Sequence, residues 1–342
     1  MHAVGLTHYL PISDERALQD FDLPQPELRD HDLLVRVHAV SVNPVDTKVR
    51  GSQGEVETPP RVLGWDAAGE VVALGPAARG FAVGDRVYYA GDLTRPGSNS
   101  ELHAVDARIA AKMPQTLDFA AAAALPLTAL TAWEALFDRM GVSSEGADAG
   151  KTILIVGGAG GVGSIAIQLA KRLARLHVIA TASRSETRAW VTGLGADAII
   201  DHRAPLDEAL NAVTGRAAVD YVLCLNSTAQ HWPAMCRVIA PQGTIASIVE
   251  LKEPVDLTPL MAKSARFAWE LMFTRSMFQT PDMAEQGVIL ARVAELVDAG
   301  VLRGTLTRTL SPISAASMRE AHALVEQGRM IGKLVVAGWP EG

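Results

Sequence analysis

The run KTILIV (151–156) leads straight into GGAGGVGS (157–164), and helical spacing begins at Val162. A buried-strand run, a glycine-rich turn and a helix in that order admit few folds, because the backbone must reverse tightly while the helix packs back on the strand. Gly158, Gly160 and Gly163 satisfy G-x-G-x-x-G. The first is expected to permit the turn, the second to let backbone approach a pyrophosphate, and the third to let helix lie close on strand. The helix N-terminus, at Gly161 and Val162, then offers N–H groups and a partial positive charge to phosphate. A lone fingerprint of this kind is weak, but its context strengthens it. Strand-like and helix-like runs keep alternating: HVIATA (177–182), a helix over 186–194, DAIID (197–201), a helix over 206–213, DYVLCL (220–225), a helix over 229–239 and GTIASIV (243–249). That pattern predicts an α/β fold, a parallel sheet with helices on both faces, and a dinucleotide site at the glycine turn.

Before residue 120 the chain reads differently. Short β-like runs, Leu33–Val40, Gly69–Leu74 and Asp85–Ala90, are separated by Gly, Pro and Asn, as in a compact β-rich unit. After Pro254 the alternation loosens into a long helix, the strand TRTL, a helix over 314–327 and the strand KLVVAG. The length of 342 residues suits two domains. The expected division is 1–125 for the β-rich domain, 126–270 for the dinucleotide domain, and 271–342 for a return to the first. A net charge of −7, with Lys and Arg scattered among acids, argues against a nucleic-acid or anionic-membrane partner. The N-terminus MHAVGLTHYLPISDE lacks the apolar core of a secretion signal, and no uninterrupted apolar run of about 18–20 residues is expected to span a membrane. Cys224 and Cys236 read as buried free thiols in a reducing compartment, so the expected location is cytoplasmic.

The choice of dinucleotide rests on the second strand. A site for NAD places Asp or Glu about twenty residues past the last glycine, to accept from the ribose 2′-hydroxyl. Here the strand ends Thr181-Ala182-Ser183-Arg184, and Glu186 already lies in the next helix. Ser183 can donate to a 2′-phosphate, Arg184 can pair with it bidentately, and Arg188 stands one turn on. The alternative for Ser183 is a helix cap, and for the arginines a solvated face. NADPH is the expected cofactor. Asn226, and Ser247 with Val249, end later strands on the side where doubly wound sheets bind ligands.

Four further stretches carry a resemblance: VSVNPVDTKVRG (40–51), GWDAAGEVVALG (64–75), VGDRVYY (83–89) and ALPLTALTAWEAL (124–136). With the glycine turn they make the chain resemble the medium-chain dehydrogenase/reductase superfamily over essentially its whole length. Within it the chain is similar to the quinone oxidoreductase branch and to a bacterial subgroup labelled "zinc-type alcohol dehydrogenase-like", through AGDLTRPGSNSE (90–101) and KSARFAWELMFTRSMFQT (263–280). The resemblance implies a GroES-like catalytic domain, formed from both chain ends, plus a Rossmann domain, usually in a homodimer. It implies nicotinamide contacts at Thr128 or Thr131, for which a helical-cap role is the alternative. It points to the adenosine-phosphate side after DAIID, where His202 departs from the family pattern. Lys333, in the terminal G-K-L-V-V, recurs in relatives and is grouped with the cofactor residues, although no physical role follows from its position.

The subgroup's label conflicts with these residues. Zinc enzymes of the superfamily use a Cys, the His of a G-H-E triplet and a further Cys or Asp. Here those positions hold Asn43, Gly64-Trp65-Asp66 and the neighbourhood of Leu127. Zinc needs three N, S or carboxylate ligands, and neither Trp65 nor Leu127 supplies one. No Cys precedes Cys224, so the four-cysteine structural lobe is missing too. The expectation is no metal. Without a Lewis acid an unactivated alcohol is a poor hydride donor, which points to electron-poor acceptors, quinones or α,β-unsaturated carbonyl compounds. Asn43 can bond the acceptor's oxygen, or cap a helix begun by Pro44. Lys48 can donate a proton, or lie solvated on the surface. Trp65 can wall the pocket against a flat ring. Asp46 is expected on the helix surface, paired with Arg50. Phe267–Phe273 has helical spacing and reads as core packing, a pocket wall or a dimer surface. The rival readings are a zinc-dependent alcohol dehydrogenase and a non-enzymatic NADPH-binding protein.

Overall fold

The computed structural model describes residues 1–340, and the chain divides into two units. One comprises Met1–Leu130 and the chain from Phe273 onward, the other Thr131–Met272.

The first unit opens with β1 (His2–Leu6), β2 (Gln19–Asp22) and β3 (Asp32–Ser41), followed by α1 (Pro44–Arg50) and β4 (Arg61–Val62). Then come β5 (Asp66–Leu74), β6 (Arg86–Tyr89), β7 (Leu102–Asp106) and β8 (Ala110–Lys112). Two helices close this part, α2 (Phe119–Ala123) and α3 (Pro126–Trp133), the second ending beyond the division. In the second unit β9 (Thr152–Val156), α4 (Gly161–Arg172), β10 (His177–Thr181), α5 (Ser185–Leu194) and β11 (Ala198–Ile200) alternate. The alternation continues through α6 (Leu206–Thr214), β12 (Val219–Cys224), α7 (Thr228–Val238), β13 (Ile239–Ser247), α8 (Thr258–Met261) and β14 (Arg266–Trp269). Back in the first unit lie α9 (Thr274–Met277), α10 (Glu285–Asp298), β15 (Leu306–Leu310), α11 (Ala315–Glu326) and β16 (Lys333–Ala337).

The first unit holds a small sheet, β2-β1-β4, and a larger one ordered β15-β16-β3-β5-β6-β8, with β7 also paired to β3. All its pairings are antiparallel except β15 with β16. The strand β3 is its spine. Flanked by β16, β5 and β7, it buries Leu33, Leu34, Val35 and Val37 almost completely, each contributing about 2 kcal/mol. Because β16 arrives from the far end of the chain and pairs directly with β3, the C-terminal segment completes the β-rich unit.

The second unit is the expected parallel sheet, ordered β11-β10-β9-β12-β13-β14. That is the doubly wound order, in which the first strand sits centrally and later strands extend either way. Burial on both faces explains the near-continuous apolar runs: Ile153, Leu154 and Ile155 of β9 are fully buried. Leu154, Ile179, Val222 and Ile245, one from each central strand, share a core with Trp232 and Met235 of α7. Lys263 closes the end of α7 by donating to the carbonyls of Cys236, Arg237 and Ile239, which the last helical turn leaves without intrahelical partners.

Two expectations are corrected here. Arg266–Trp269 is an edge strand, paired in parallel with Thr244–Ser247, and not part of a helix. Over so few residues an apolar run fits either period, and the sheet's open edge decides. The stretch Phe119–Arg139 is, contrary to expectation, long and apolar enough to span a membrane by length and composition, yet 78% of its most apolar window is buried. Pro126 breaks it by starting α3 anew.

The helical run after α3 widens over Glu134–Arg139 into a π-turn, whose five-residue step stacks Arg139 on Glu134. The Arg139 guanidinium lies 3.3 Å from Glu134 and 2.9 Å from Glu270, and both carboxylates are fully buried. Burial, and then the charge of Glu134, push Glu270 up to about 8, against the pull of Arg139. From the ordinary carboxylate range up to about pH 8 the unfolded chain has lost a proton that the folded chain keeps, so stability falls as pH rises through that window. Glu270→Gln retains an oxygen for Arg139 and removes this titration. Thermal melts should show it matching the parent near pH 4.5 and exceeding it near pH 8; a gap independent of pH would contradict the shared-proton account.

Candidate functional site

In the second unit the chain leaves β9 through Gly157, whose φ is +88° and whose N–H donates to Thr181 Oγ1 at 2.9 Å. The left-handed residue of the turn is therefore Gly157 and not Gly158, one position earlier than the fingerprint suggests. Gly158 serves proximity, since a Cβ there would stand 2.9 Å from that of Ala180. At Gly163 a Cβ would meet the carbonyl oxygens of Gly157 and Gly158 at 2.5 and 2.6 Å, which is the close helix–turn packing expected of that position. Gly160 caps α4, and a Cβ there would find nothing nearer than 3.6 Å. Its lack of a side chain thus serves something outside the protein's own packing. The first bond of α4 joins Ser164 N–H to Gly160, so the N–H groups of Gly161, Val162 and Gly163 form the helix's unsatisfied, partially positive end.

At the carboxyl end of β10, Arg184 rather than Ser183 is the N-cap of α5, and its N–H is met by Thr187 Oγ1 at 3.1 Å. Ser183, half-buried, is left without the capping role. The Arg184 side chain is 40% exposed and stands 3.4 Å from Glu186, while Arg188 reaches the Ala182 carbonyl at 3.3 Å. Two guanidinium groups thus flank this strand end, and its one nearby acid already faces a guanidinium. Asn226, exposed just past β12, accepts from the Ser227 hydroxyl at 3.2 Å. Since β9 and β12 are the neighbours at which strand order reverses, the glycine turn and Asn226 flank the switch point where doubly wound sheets bind ligands. Two candidates sit otherwise. Ser247 is fully buried, its hydroxyl 2.6 Å from that of Thr228 and 3.3 Å from the Cys224 carbonyl, so it ties β12, β13 and α7 together. His202 is exposed after β11, its ring edge-on to His231 at 6.3 Å.

The first unit gathers a different set. Asn43 ends the turn after β3 and caps α1, with Pro44 at the first helical position. Its Nδ2 donates to Asp66 Oδ2 at 2.9 Å and to the Ser41 carbonyl at 3.3 Å, and its Oδ1 accepts from the Lys333 ammonium. Asp66, the first residue of β5, also accepts from Leu127 N–H at 2.9 Å on Oδ1 and from Lys333 at 3.1 Å on Oδ2. Asp46 completes a capping box by accepting from Asn43 N–H at 2.5 Å. Asn43, Asp46, Asp66 and Lys333 are each at most 4% exposed.

This knot revises several expectations. Both N–H groups of the Asn43 amide are occupied, leaving none to bond an acceptor's oxygen; the capping role is the one the geometry displays. Lys333, grouped from the sequence with the cofactor residues, is a member of this knot. Asp46 is buried, and Arg50 turns from it to the Leu10 carbonyl and Glu326. Burial pushes Asp46 up to about 7, opposed by the Asn43 N–H and by Lys333. Burial likewise raises Asp66, opposed chiefly by Lys333. Trp65 is 1% exposed, donates to the Asp92 carbonyl at 2.9 Å and stands edge-on to Phe273, so it is packed within the unit rather than presented as an open wall. Thr128 is buried with its hydroxyl on the Leu125 carbonyl at 3.1 Å, the helical role. Lys48 lies exposed on α1.

Catalytic zinc does not fit these residues. The positions that would hold it present an amide, an indole, a leucine, and one carboxylate already paired with a buried ammonium. Among the described residues no group of three His, Cys, Asp or Glu side chains is placed to hold a metal ion. The glycine turn, the open N-terminal N–H groups of α4 and the guanidinium groups at the end of β10 are of the chemistry that holds a dinucleotide's phosphates.

Two family descriptions match the chain: "alcohol dehydrogenase GroES-like domain" over 29–115 and "zinc-binding dehydrogenase" over 194–336. A "zinc-type alcohol dehydrogenase-like protein" of Staphylococcus aureus (strain COL) is 40% identical over 337 residues, covering 98% of this chain and 99% of that one. A "quinone-oxidoreductase homolog" of Spinacia oleracea is 29% identical over 340 residues, 98% of each chain. Among solved structures, a Rhizobium etli CFN 42 protein carrying a zinc-dependent alcohol dehydrogenase label is 50% identical with a TM-score of 0.95, covering 100% of this chain and 99% of its own.

The glycines separate a ligand role from a packing role. Gly160→Ala should melt like the parent, since its methyl group meets only the Gly157 carbonyl at 3.6 Å, and should lose about tenfold or more in NADPH affinity if the pyrophosphate lies against this turn. Gly163→Ala should lose stability itself. Fluorescence titration with NADPH beside thermal melts checks both, and a Gly160→Ala variant that binds like the parent would remove the pyrophosphate from this turn.

Proposed function

We propose that this chain, which belongs to the medium-chain dehydrogenase/reductase superfamily, is a zinc-independent, NADPH-dependent reductase of quinones or α,β-unsaturated carbonyl compounds. The observation that carries the reading is the closed Asn43–Asp66–Lys333 knot, which occupies the amide at one metal-ligand position of the superfamily and pairs the neighbouring carboxylate with an ammonium group. With no Lewis acid to sharpen an alcohol's reactivity, the substrate must itself be able to take up negative charge on oxygen. The similarity to a quinone-oxidoreductase homolog supports the same class of acceptor.

The nicotinamide cofactor, when bound, supplies a hydride from its C4 to the electron-poor carbon. The chain's residues do the rest. The turn Gly157–Gly163 and the first N–H groups of α4 hold the pyrophosphate. Ser183, Arg184 and Arg188 take the 2′-phosphate, with charge-assisted hydrogen bonds that NADH cannot use. Of the three catalytic candidates, Asn43 and Trp65 are buried, and Lys48 is exposed on α1. Lys48 therefore delivers the proton that must follow each hydride. The protein works as a homodimer in the cytoplasm, with the edge strand β14 as the joining surface, since Trp269 and Leu271 are 46% and 49% exposed there. Sedimentation equilibrium finding only monomer would remove that element.

The labels of the Staphylococcus and Rhizobium relatives favour a zinc-dependent alcohol dehydrogenase as the second reading. One assay separates them: oxidation of NADPH and NADH followed against quinones, enones and simple aldehydes, with and without a chelator. Chelator-insensitive turnover of quinones or enones is expected, and activity confined to alcohol–aldehyde pairs and abolished by chelator would overturn the proposal. In the same assay Arg184→Asp should lose about 10- to 100-fold in kcat/KM for NADPH, the worth of one or two charge-assisted bonds, and little or nothing for NADH. Lys48→Met should lower kcat by about a hundredfold at unchanged NADPH affinity.

A further inference from the structure

Four parts of the first unit that are distant in sequence meet on one carboxylate. Asp66 Oδ2 receives Asn43 from the start of α1 and Lys333 from the start of β16, 267 residues away, while Oδ1 receives the N–H of Leu127 from the start of α3. The helix α1 has seven residues, and a helix of that length does not hold itself in water, so the tie at its N-terminus helps decide where it points. The longer run that α3 begins, continuing through Glu134–Arg139, is tied at its first turn by the Leu127 N–H. Lys48 lies little more than a turn beyond Asn43 on α1, and Thr128 directly follows Leu127 on α3. One ion pair thus sets the base of the helix carrying the proposed proton donor and of the helix carrying Thr128 and Thr131, one or other of which the family resemblance places beside the nicotinamide.

We infer that Asp66 and Lys333 are a positioning pair for the reduction, acting through Asn43 and Leu127 on Lys48 and Thr128 and touching neither substrate nor cofactor. The inference rests on the proposed reductase reading. A buried ion pair is a poor device for stability alone, because apolar side chains of similar volume usually serve as well or better. It is a good device for direction, since Asp66 accepts from fixed donors at 2.9, 2.9 and 3.1 Å and cannot slide as apolar contacts do. A misplacement of about 1 Å at a reacting centre costs on the order of a hundredfold in rate, which gives such a device its purpose.

The test is a double-mutant cycle. Asp66→Asn or Lys333→Met alone leaves the other group buried without its counter-charge and is expected to destabilise the fold. The double variant removes both charges at once; with its oxygen still on the Leu127 N–H, the new amide turns its NH2 toward Asn43, whose own amide flips to accept from it and gives up the bond to the Ser41 carbonyl. It is expected to melt within about 5 °C of the parent and to bind NADPH as the parent does. Its kcat should fall by about tenfold or more, and amide exchange over residues 43–50 and 126–133 should quicken. A folded double variant with the parent's kcat and the parent's exchange overturns the inference. Parent turnover on quinones or enones reports separately on the reductase reading, and the exchange measurement decides the positioning claim whatever that turnover is. Lys333→Arg, which keeps the charge, is expected to regain part of the kcat lost in Lys333→Met; equal losses in the two variants overturn the pair's role.

Discussion

The first unit depends on the bonding of one carboxylate. Asp66 is fully buried, and a buried carboxylate is tolerable only if its lone pairs are met and its charge is balanced. The Asn43 amide, the Leu127 N–H and the Lys333 ammonium do both. Each of these partners carries a further consequence. Asn43 caps α1 while holding Asp66, Leu127 begins α3, and Lys333 begins the strand that brings the C-terminal segment onto β3. The same bonds engage Asn43, which stands where the superfamily's zinc enzymes carry a metal ligand, so the residues here differ from what the labels of the relatives suggest.

The second unit obeys a different constraint, the geometry of a parallel sheet buried on both faces. The middles of its central strands are apolar and buried, as at Ile153–Ile155, so most polar groups collect at strand ends and turns. Gly157 turns the backbone, Gly158 and Gly163 let neighbouring elements close on it, and Gly160 leaves a space that no protein atom fills. Arg184 and Arg188 collect at the end of β10 because α5 begins there, and Glu186 in its first turn faces Arg184 at 3.4 Å. Elsewhere in the same unit, buried polar groups serve packing: Ser247 with Thr228, Lys263 on the end of α7, and Arg139 between two glutamates.

Much of this was legible in the chain before any coordinates. The alternation from residue 151 onward, the break in character near residue 120, the glycine turn and the missing zinc ligands are local properties, readable from period, spacing and side-chain chemistry. What local reading misassigned has a common physical cause. Asp46 and Arg50 look like a surface pair because they stand four apart on a helix, yet burial and the distant Glu326 separate them. Arg266–Trp269 looks helical until the open edge of a sheet claims it as a strand. Asn43 looks like a free amide because neither Asp66 nor Lys333 is near it in sequence.

The amino-acid sequence by itself determined the class of fold, the dinucleotide cradle and the absence of metal-binding side chains at the expected positions, since each depends on residues adjacent or regularly spaced along the chain. Only the tertiary structure decided which polar groups are available and which are bound. Hydrogen bonds and ion pairs between residues 23, 61 and 267 positions apart leave no periodic trace in a sequence, and burial, which turns such contacts from incidental to obligatory, is a property of the folded chain alone.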